Sequence, residues 1–272
     1  MAQTKIEWTA TPRADGSLAP GYTGNLWHGC TKVHAGCDNC YAEALTNRYG
    51  GVQVWGRNAP RKATKSVWSD FLKWNAEAHA AGETRKVFVG SMMDIFEKDM
   101  PLVSWHGVPA IDSSDGSQIG TDALRQRFFN EIVPGCQNLI FLLLTKRPGN
   151  INKMIPEGWK ESPPANVMFG TSPVDSETFA RLVPQLKKVN GRRFLSIEPQ
   201  LGQILPTAED LAGIDWVIQG GESGPNRRPF STDWARDLKY ICLNLGIPYF
   251  FKQWDKVQQI PADLMVRQFP KL

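Results

Sequence analysis

NLIFLLLT, residues 138–145, decides the fold. The six residues 139–144 are all apolar, with no polar residue alternating between them. Such a run needs cover on both faces, which is the environment of a central strand in a parallel sheet. It is strand length and well short of the roughly 20 residues that a membrane-spanning helix requires. Similar short runs lie on either side of it. They are GNLWHG (24–29), KVFVGS (86–91), NVMFGTS (166–172), RRFLSIE (192–198), DWVIQGG (215–221) and IPYFFKQW (247–254).

Helix-like segments separate these runs, at 38–49, 67–81, 121–133, 176–189 and 232–244. The segment at 176–189 places Phe179, Leu182, Val183 and Leu186 on one face, but it carries Pro184, which removes a helical hydrogen bond. Alternating strands and helices predict an α/β fold with parallel strands and right-handed crossovers. About seven βα-like units fit one domain over 1–272, with the core barrel at about 20–256. The stretch 98–120 has no clean period and reads as a surface insertion or lid.

Hydrophobic residues at 42% and charged residues at 21% describe an ordinary globular chain able to bury a large core. The opening MAQTKIEWTATPRADG has no apolar signal core, so the expected compartment is a reducing cytoplasm with no membrane partner. A net charge of +4 permits a nucleic-acid partner without requiring one. Basic clusters at 57–65, 187–193 and 226–228 are either solvated surface or phosphate contacts. Trp55, Trp68 and Trp74 beside basic residues suit base stacking, although core packing is the commoner role.

Polar or glycine residues follow almost every apolar run: Ser91 and Asp94, Thr145–Arg147, Thr171–Ser172, Glu198, Gly220–Glu222, and Lys252–Gln253. In parallel α/β architectures, ligands bind at the carboxyl ends of the strands. A functional site is expected at that rim.

The loop after the first strand is GCTKVHAGCDNCYAE (29–43), with Cys30, Cys37 and Cys40 spaced C-x6-C-x2-C. Four readings fit three crowded thiols. They could be free buried cysteines, or a structural zinc knuckle completed by His28 or His34. Cys37 and Cys40 could form a redox pair that leaves Cys30 unexplained. Finally, they could hold a four-iron cluster by three irons and leave the fourth free. An open iron can chelate S-adenosylmethionine and reduce its sulfonium, which yields a 5′-deoxyadenosyl radical. Cys136 and Cys242 lie outside the triplet, and Cys242 reads as a core thiol.

This loop, with TKIEW (4–8), LTKRP (144–148), SIEPQLG (196–202), QGGESG (219–224) and FFKQW (250–254), resembles the phage-associated three-cysteine-motif family. That family is related to radical S-adenosylmethionine enzymes and, distantly, to spore photoproduct lyase. The likeness covers about residues 4–256. It implies a partial (β/α)6-type barrel with a [4Fe–4S] cluster on Cys30, Cys37 and Cys40 at the C-terminal rim. Two features depart from the commonest radical-enzyme motif: the first gap is six residues rather than three, and Asn39 stands where an aromatic often precedes the last cysteine.

Tyr41, adjacent to the last thiol, is a candidate to pack on the adenine; by resemblance Gly220, Gly221 and Glu222 lie beside the site, with a plain tight turn as the alternative. Asp94, Glu97 and Glu198 are candidates for the amino group or ribose of S-adenosylmethionine; pairing with Lys146, Arg147 or Lys252 is the structural alternative. Lys146, Arg147, Arg227, Arg228 and Lys252 would hold phosphates of a DNA or nucleotide substrate. The expected activity is radical modification of a nucleic-acid base, for example isomerisation of an amino-acyl-thymidine adduct in phage DNA hypermodification. It would need an external reductant of flavodoxin or ferredoxin type and would take place in the host cytoplasm. Thymine photolesion cleavage, a zinc-knuckle nucleic-acid-binding protein and a non-radical electron carrier are the competing functions.

Overall fold

The structure, a computed structural model, describes residues 4–48 and 50–271. Seven strands form one sheet: β1 (Tyr22–Gly24), β2 (Arg85–Val89), β3 (Leu139–Thr145), β4 (Val167–Thr171), β5 (Arg192–Ile197), β6 (Trp216–Gly220) and β7 (Tyr249–Gln253). They lie in chain order, each parallel to its neighbour. Among the described residues β1 and β7 do not pair, so the sheet is an open, curled half-barrel of seven strands rather than six.

β3 shows why this happens. Leu139, Phe141 and Leu143 point into the layer under the helices, whereas Ile140 and Leu142 point into the concave interior. Phe88, Met168, Phe194, Trp216, Ile218 and Phe250 join them there. Burying each such side chain contributes about 1.5–3 kcal/mol, which favours strands that are apolar on both faces.

The outer layer contains α1 (Tyr41–Arg48), α2 (Val67–Ala80), α3 (Thr121–Arg127), α4 (Ser176–Lys187) and α5 (Thr232–Asn244). α3 runs on through a π turn at Phe128–Ile132 before ending near Pro134. α4 is capped by Asp175, whose side chain accepts from Thr178 N at 2.8 Å. Pro184 sits inside α4, where burial of Phe179, Leu182, Val183 and Leu186 offsets the lost hydrogen bond.

The first strand is displaced from its expected position at 24–29. Asn25 leaves the ladder and bonds the turn after β2, donating to Ser91 Oγ at 2.8 Å and accepting from Met92 N at 2.7 Å. Trp27–His28 then pairs antiparallel with Arg61–Ala63, which pairs parallel with Leu102–Val103. The stretch 98–120 therefore carries β structure of its own, with further bridges at Pro101–Gly120 and Ile111–Gln118.

Both ends of the chain complete the core, outside the expected barrel limits. Trp8 packs inside the half-barrel on Phe88, ring centroids 4.9 Å apart, and on Trp216 at 6.2 Å. Phe269 packs on Phe250 at 5.4 Å. Residues 266–268 cover the free edge of β7, with Phe251 N donating to Val266 O and Gln268 N to Tyr249 O. Arg267 also reaches Glu7 at 3.2 Å, which joins the two ends. No helix among the described residues is long and apolar enough to cross a membrane.

Candidate functional site

A cavity of about 800 Å³ opens at the carboxyl ends of the strands. Cys30, Cys37 and Cys40 all line it, as do Asp94 after β2, Lys146 and Arg147 after β3, and Ser172 after β4. Glu198 follows β5, and Lys252 and Gln253 end β7. The polar strand ends expected at the rim line this cavity, apart from Thr171 and from Gly220–Glu222 at the end of β6. No residue of 98–120 lines it.

The cysteine loop is tied down at two places. Gly29 turns with φ +110°, and a Cβ there would stand 2.1 Å from Val54 O, so the approach needs glycine. Thr31, next to Cys30, has all three polar groups held. Its N–H donates to Glu97 Oε1 at 2.9 Å and its hydroxyl accepts from Arg61 at 2.9 Å. Its carbonyl accepts from Arg147 at 2.5 Å. Arg61 and Glu97 are 0% and 2% exposed and bond each other at 2.8 Å. Arg147 also lies 2.6 Å from Asp94 and 3.6 Å from Cys30 Sγ. Burial, then the Asp94 carboxylate, push the Cys30 thiol up to about 12.

The second anchor holds residues 35–39 against the turn after β6. Asn39 donates to Glu222 at 2.9 Å and to Asn226 O at 2.8 Å. Arg228 pairs with Glu222 at 2.6 Å and donates to Ala35 O at 3.0 Å. Burial pushes the Glu222 carboxyl up, but hydrogen bonds from Arg228 and Asn39 outweigh it and hold it below its usual value. Gly221 is the close approach in this turn, where a Cβ would meet Trp254 O at 2.0 Å.

The expected site residues thus divide into two groups. Tyr41, Asp94, Glu198, Lys146, Arg147 and Lys252 share the cavity with the cysteines. Tyr41 is 54% exposed and donates to Ser91 O at 2.7 Å, while Lys252 pairs with Glu198 at 2.6 Å. Glu97, Gly220, Gly221, Glu222, Arg227 and Arg228 lie outside its wall. Glu97, Glu222 and Arg228 brace the cysteine loop, and Arg227 pairs with Asp255 at 2.8 Å. Of the three tryptophans that flank basic residues, Trp74 is buried against Tyr22 at 4.5 Å, the core role, and Trp55 packs beneath the cysteines and also lines the cavity.

Over residues 3–114 and 116–268 the chain matches DUF5131, a family described as a protein of unknown function. The chain belongs to that family. Among curated proteins and solved structures, none matches this DUF5131 chain.

The fit of an iron–sulfur cluster to this wall rests on the donors. None of the three thiols is in a disulfide, and Cys30 and Cys40 pack on one apolar patch with Val54, Trp55 and Met92. The sulfurs are not drawn together: among the described residues no three His, Cys, Asp or Glu side chains converge as a metal site. The two histidines expected as a fourth zinc ligand stand apart from the cavity, although His34 Nε2 is buried without a partner. His34 Nδ1 accepts from Gly36 N at 3.1 Å, and His28 packs on Trp105 at 5.8 Å; neither lines the cavity. Five residues of the lining carry a buried polar atom without a protein partner, namely Ser172 Oγ, Glu198 Oε1, Gln253 Oε1 and the indole nitrogens of Trp8 and Trp55. Three soft donors and several unpartnered polar atoms in one lining are the kinds of group that a cluster and a polar organic cofactor would need.

Sequence reasoning missed Arg61 and Thr31, which carry no periodic signal. It also missed Lys5, Trp254 and Lys256, which reach the wall from the two ends of the fold.

Proposed function

We propose that this chain is a radical S-adenosylmethionine enzyme that modifies a nucleic-acid base. The observation that carries the reading is the placement of three unpaired thiols on the C-terminal rim of a parallel half-barrel, in one cavity with unpartnered polar atoms. The motif likeness to the three-cysteine family supports it.

In this reading Cys30, Cys37 and Cys40 hold a [4Fe–4S] cluster, which when bound supplies the electron that cleaves S-adenosylmethionine to a 5′-deoxyadenosyl radical. The Thr31 clamp fixes the backbone beside Cys30, and the Glu222–Arg228 brace fixes the backbone that leads to Cys37 and Cys40. Ser172, Glu198 and Gln253 offer oxygens to the amino group and ribose hydroxyls of the cofactor. Tyr41 stands at the start of α1 beside the last thiol and presents a ring face to the adenine. The apolar patch under Cys30 and Cys40 excludes water from the metal's side of the cavity. Thymine-centred chemistry, as an isomerase or a lyase, and a flavodoxin- or ferredoxin-type electron donor belong to the same proposal.

Anaerobic reconstitution with iron and sulfide should give a brown protein with about four irons per chain. Its visible absorption should bleach on reduction, and it should release 5′-deoxyadenosine from S-adenosylmethionine. A colourless protein with stoichiometric zinc would overturn the proposal.

A further inference from the structure

The wall of the cavity carries an imbalance of charge that the cysteine chemistry does not use. Seven basic and four acidic side chains line it. Each acid is paired with a base of the same wall: Glu7 with Arg267, Glu43 with Lys32, Asp94 with Arg147 and Glu198 with Lys252. That leaves Lys5, Lys146 and Lys256, whose ammonium groups have no partner among the described residues.

The cofactors do not neutralise this excess. A [4Fe–4S]²⁺ cluster on three thiolates adds one negative charge, S-adenosylmethionine adds one positive charge, and the two cancel. Lys146 is half-buried and Lys5 and Lys256 are exposed, so three unpaired cations line one opening and attract a counter-anion there.

Lys256 shows a second sign of purpose. It is the only non-glycine residue with positive φ among those described, at +66°. A lysine in this left-handed conformation costs energy and persists only where its surroundings impose it. Here Asp255 imposes it: Oδ1 accepts from Val257 N at 2.9 Å and Gln258 N at 2.7 Å, and Oδ2 accepts from Arg227 at 2.8 Å. The turn after β7 is thus built to hold its lysine at the cavity.

We infer that the cavity binds its substrate through a phosphate ester, with Lys256 as the principal contact and Lys5 and Lys146 as supporting charges. This takes the cavity to be the reaction site of the proposed enzyme, but phosphate binding itself needs neither cluster nor radical. The source of the phosphate is a free nucleotide or a nucleic-acid strand, since both present the same group.

The test uses the protein as purified, with the iron content of each sample recorded. Binding of thymidine, thymidine 5′-monophosphate and a fluorescein-labelled oligothymidylate is measured by calorimetry and anisotropy across a salt series. Phosphorylated probes should bind and thymidine should not. K5A, K146A and K256G should each weaken binding about tenfold. On the oligonucleotide each should lower the log–log salt slope by about 0.7. K256R should retain binding. K256G keeps the left-handed turn and should melt no lower than wild type, which separates lost contact from lost fold. Preference for the mononucleotide or for the strand identifies the source. Equal binding of thymidine and its phosphate, absence of binding by every probe, or insensitivity to all three substitutions would overturn the inference. Lysine-dependent binding in a protein that takes up no iron would leave the inference standing and remove the radical reading.

Discussion

Arg147 Nη1 lies 2.6 Å from Asp94 Oδ2 and 3.6 Å from Cys30 Sγ, so one guanidinium joins the strand ends of β2 and β3 to the cysteine loop. Both members of the ion pair are largely buried. Removing one partner strands the other charge, at a cost of about 3–5 kcal/mol. R147M should lower unfolding stability by that order, and D94N in the same chain should restore a substantial part of it. Urea unfolding of the two single variants and the double variant measures the coupling. Simple additivity would show that the pair is not energetically joined.

G221A introduces a Cβ 2.0 Å from Trp254 O, a backbone atom that cannot swing aside. The turn after β6 and the residue after β7 must separate, at about 1–3 kcal/mol. Trp254 lines the cavity, so its fluorescence should shift in G221A while the helical circular dichroism is unchanged. An unaltered melting temperature and spectrum would contradict this contact.

Leu142 is fully buried on the concave face of β3. L142A should cost about 2–5 kcal/mol through lost burial and the cavity left behind. Denaturant midpoints measured at unchanged m-value report it.

Lys86 is fully buried, donates to Ala10 O at 2.6 Å and sits 4.4 Å over the Phe269 ring. Desolvation pulls its pKa down to about 7, below the free-lysine value of 10.5. Between those values the unfolded chain binds more protons than the folded one, so stability should rise with pH from about 7 to 10.5. K86M should flatten that rise. Urea midpoints at pH 6 and 9 test it, and an unchanged slope in K86M would assign the effect to another group.

The sheet was legible because its signal is local. Runs such as 139–144 are apolar on both faces whatever their partners, and the polar residues after them announce the rim. The first strand misled because Asn25 gives its side chain to the turn after β2, a contact that no periodicity encodes. The three cysteines announced themselves by spacing. The residues that place them did not, because the Thr31 clamp gathers Arg61, Glu97 and Arg147 from three distant segments. Glu222 is expected beside the site by resemblance and Arg228 as a phosphate contact; their bracing of the loop was not legible, since a carboxylate beside an arginine looks the same in either role. Lys256 was invisible because its significance is a backbone angle.

The salt bridge between Glu7 and Arg267 has a consequence in time. The three thiols lie within residues 30–40, whereas Lys256, Met265 and Arg267 of the same cavity wall follow them by more than two hundred residues. Until those later residues dock, the wall that they share with Lys5, Glu7 and the thiols is incomplete. A chain truncated before Lys256 should therefore show faster alkylation of Cys30, Cys37 and Cys40 than the longer chain.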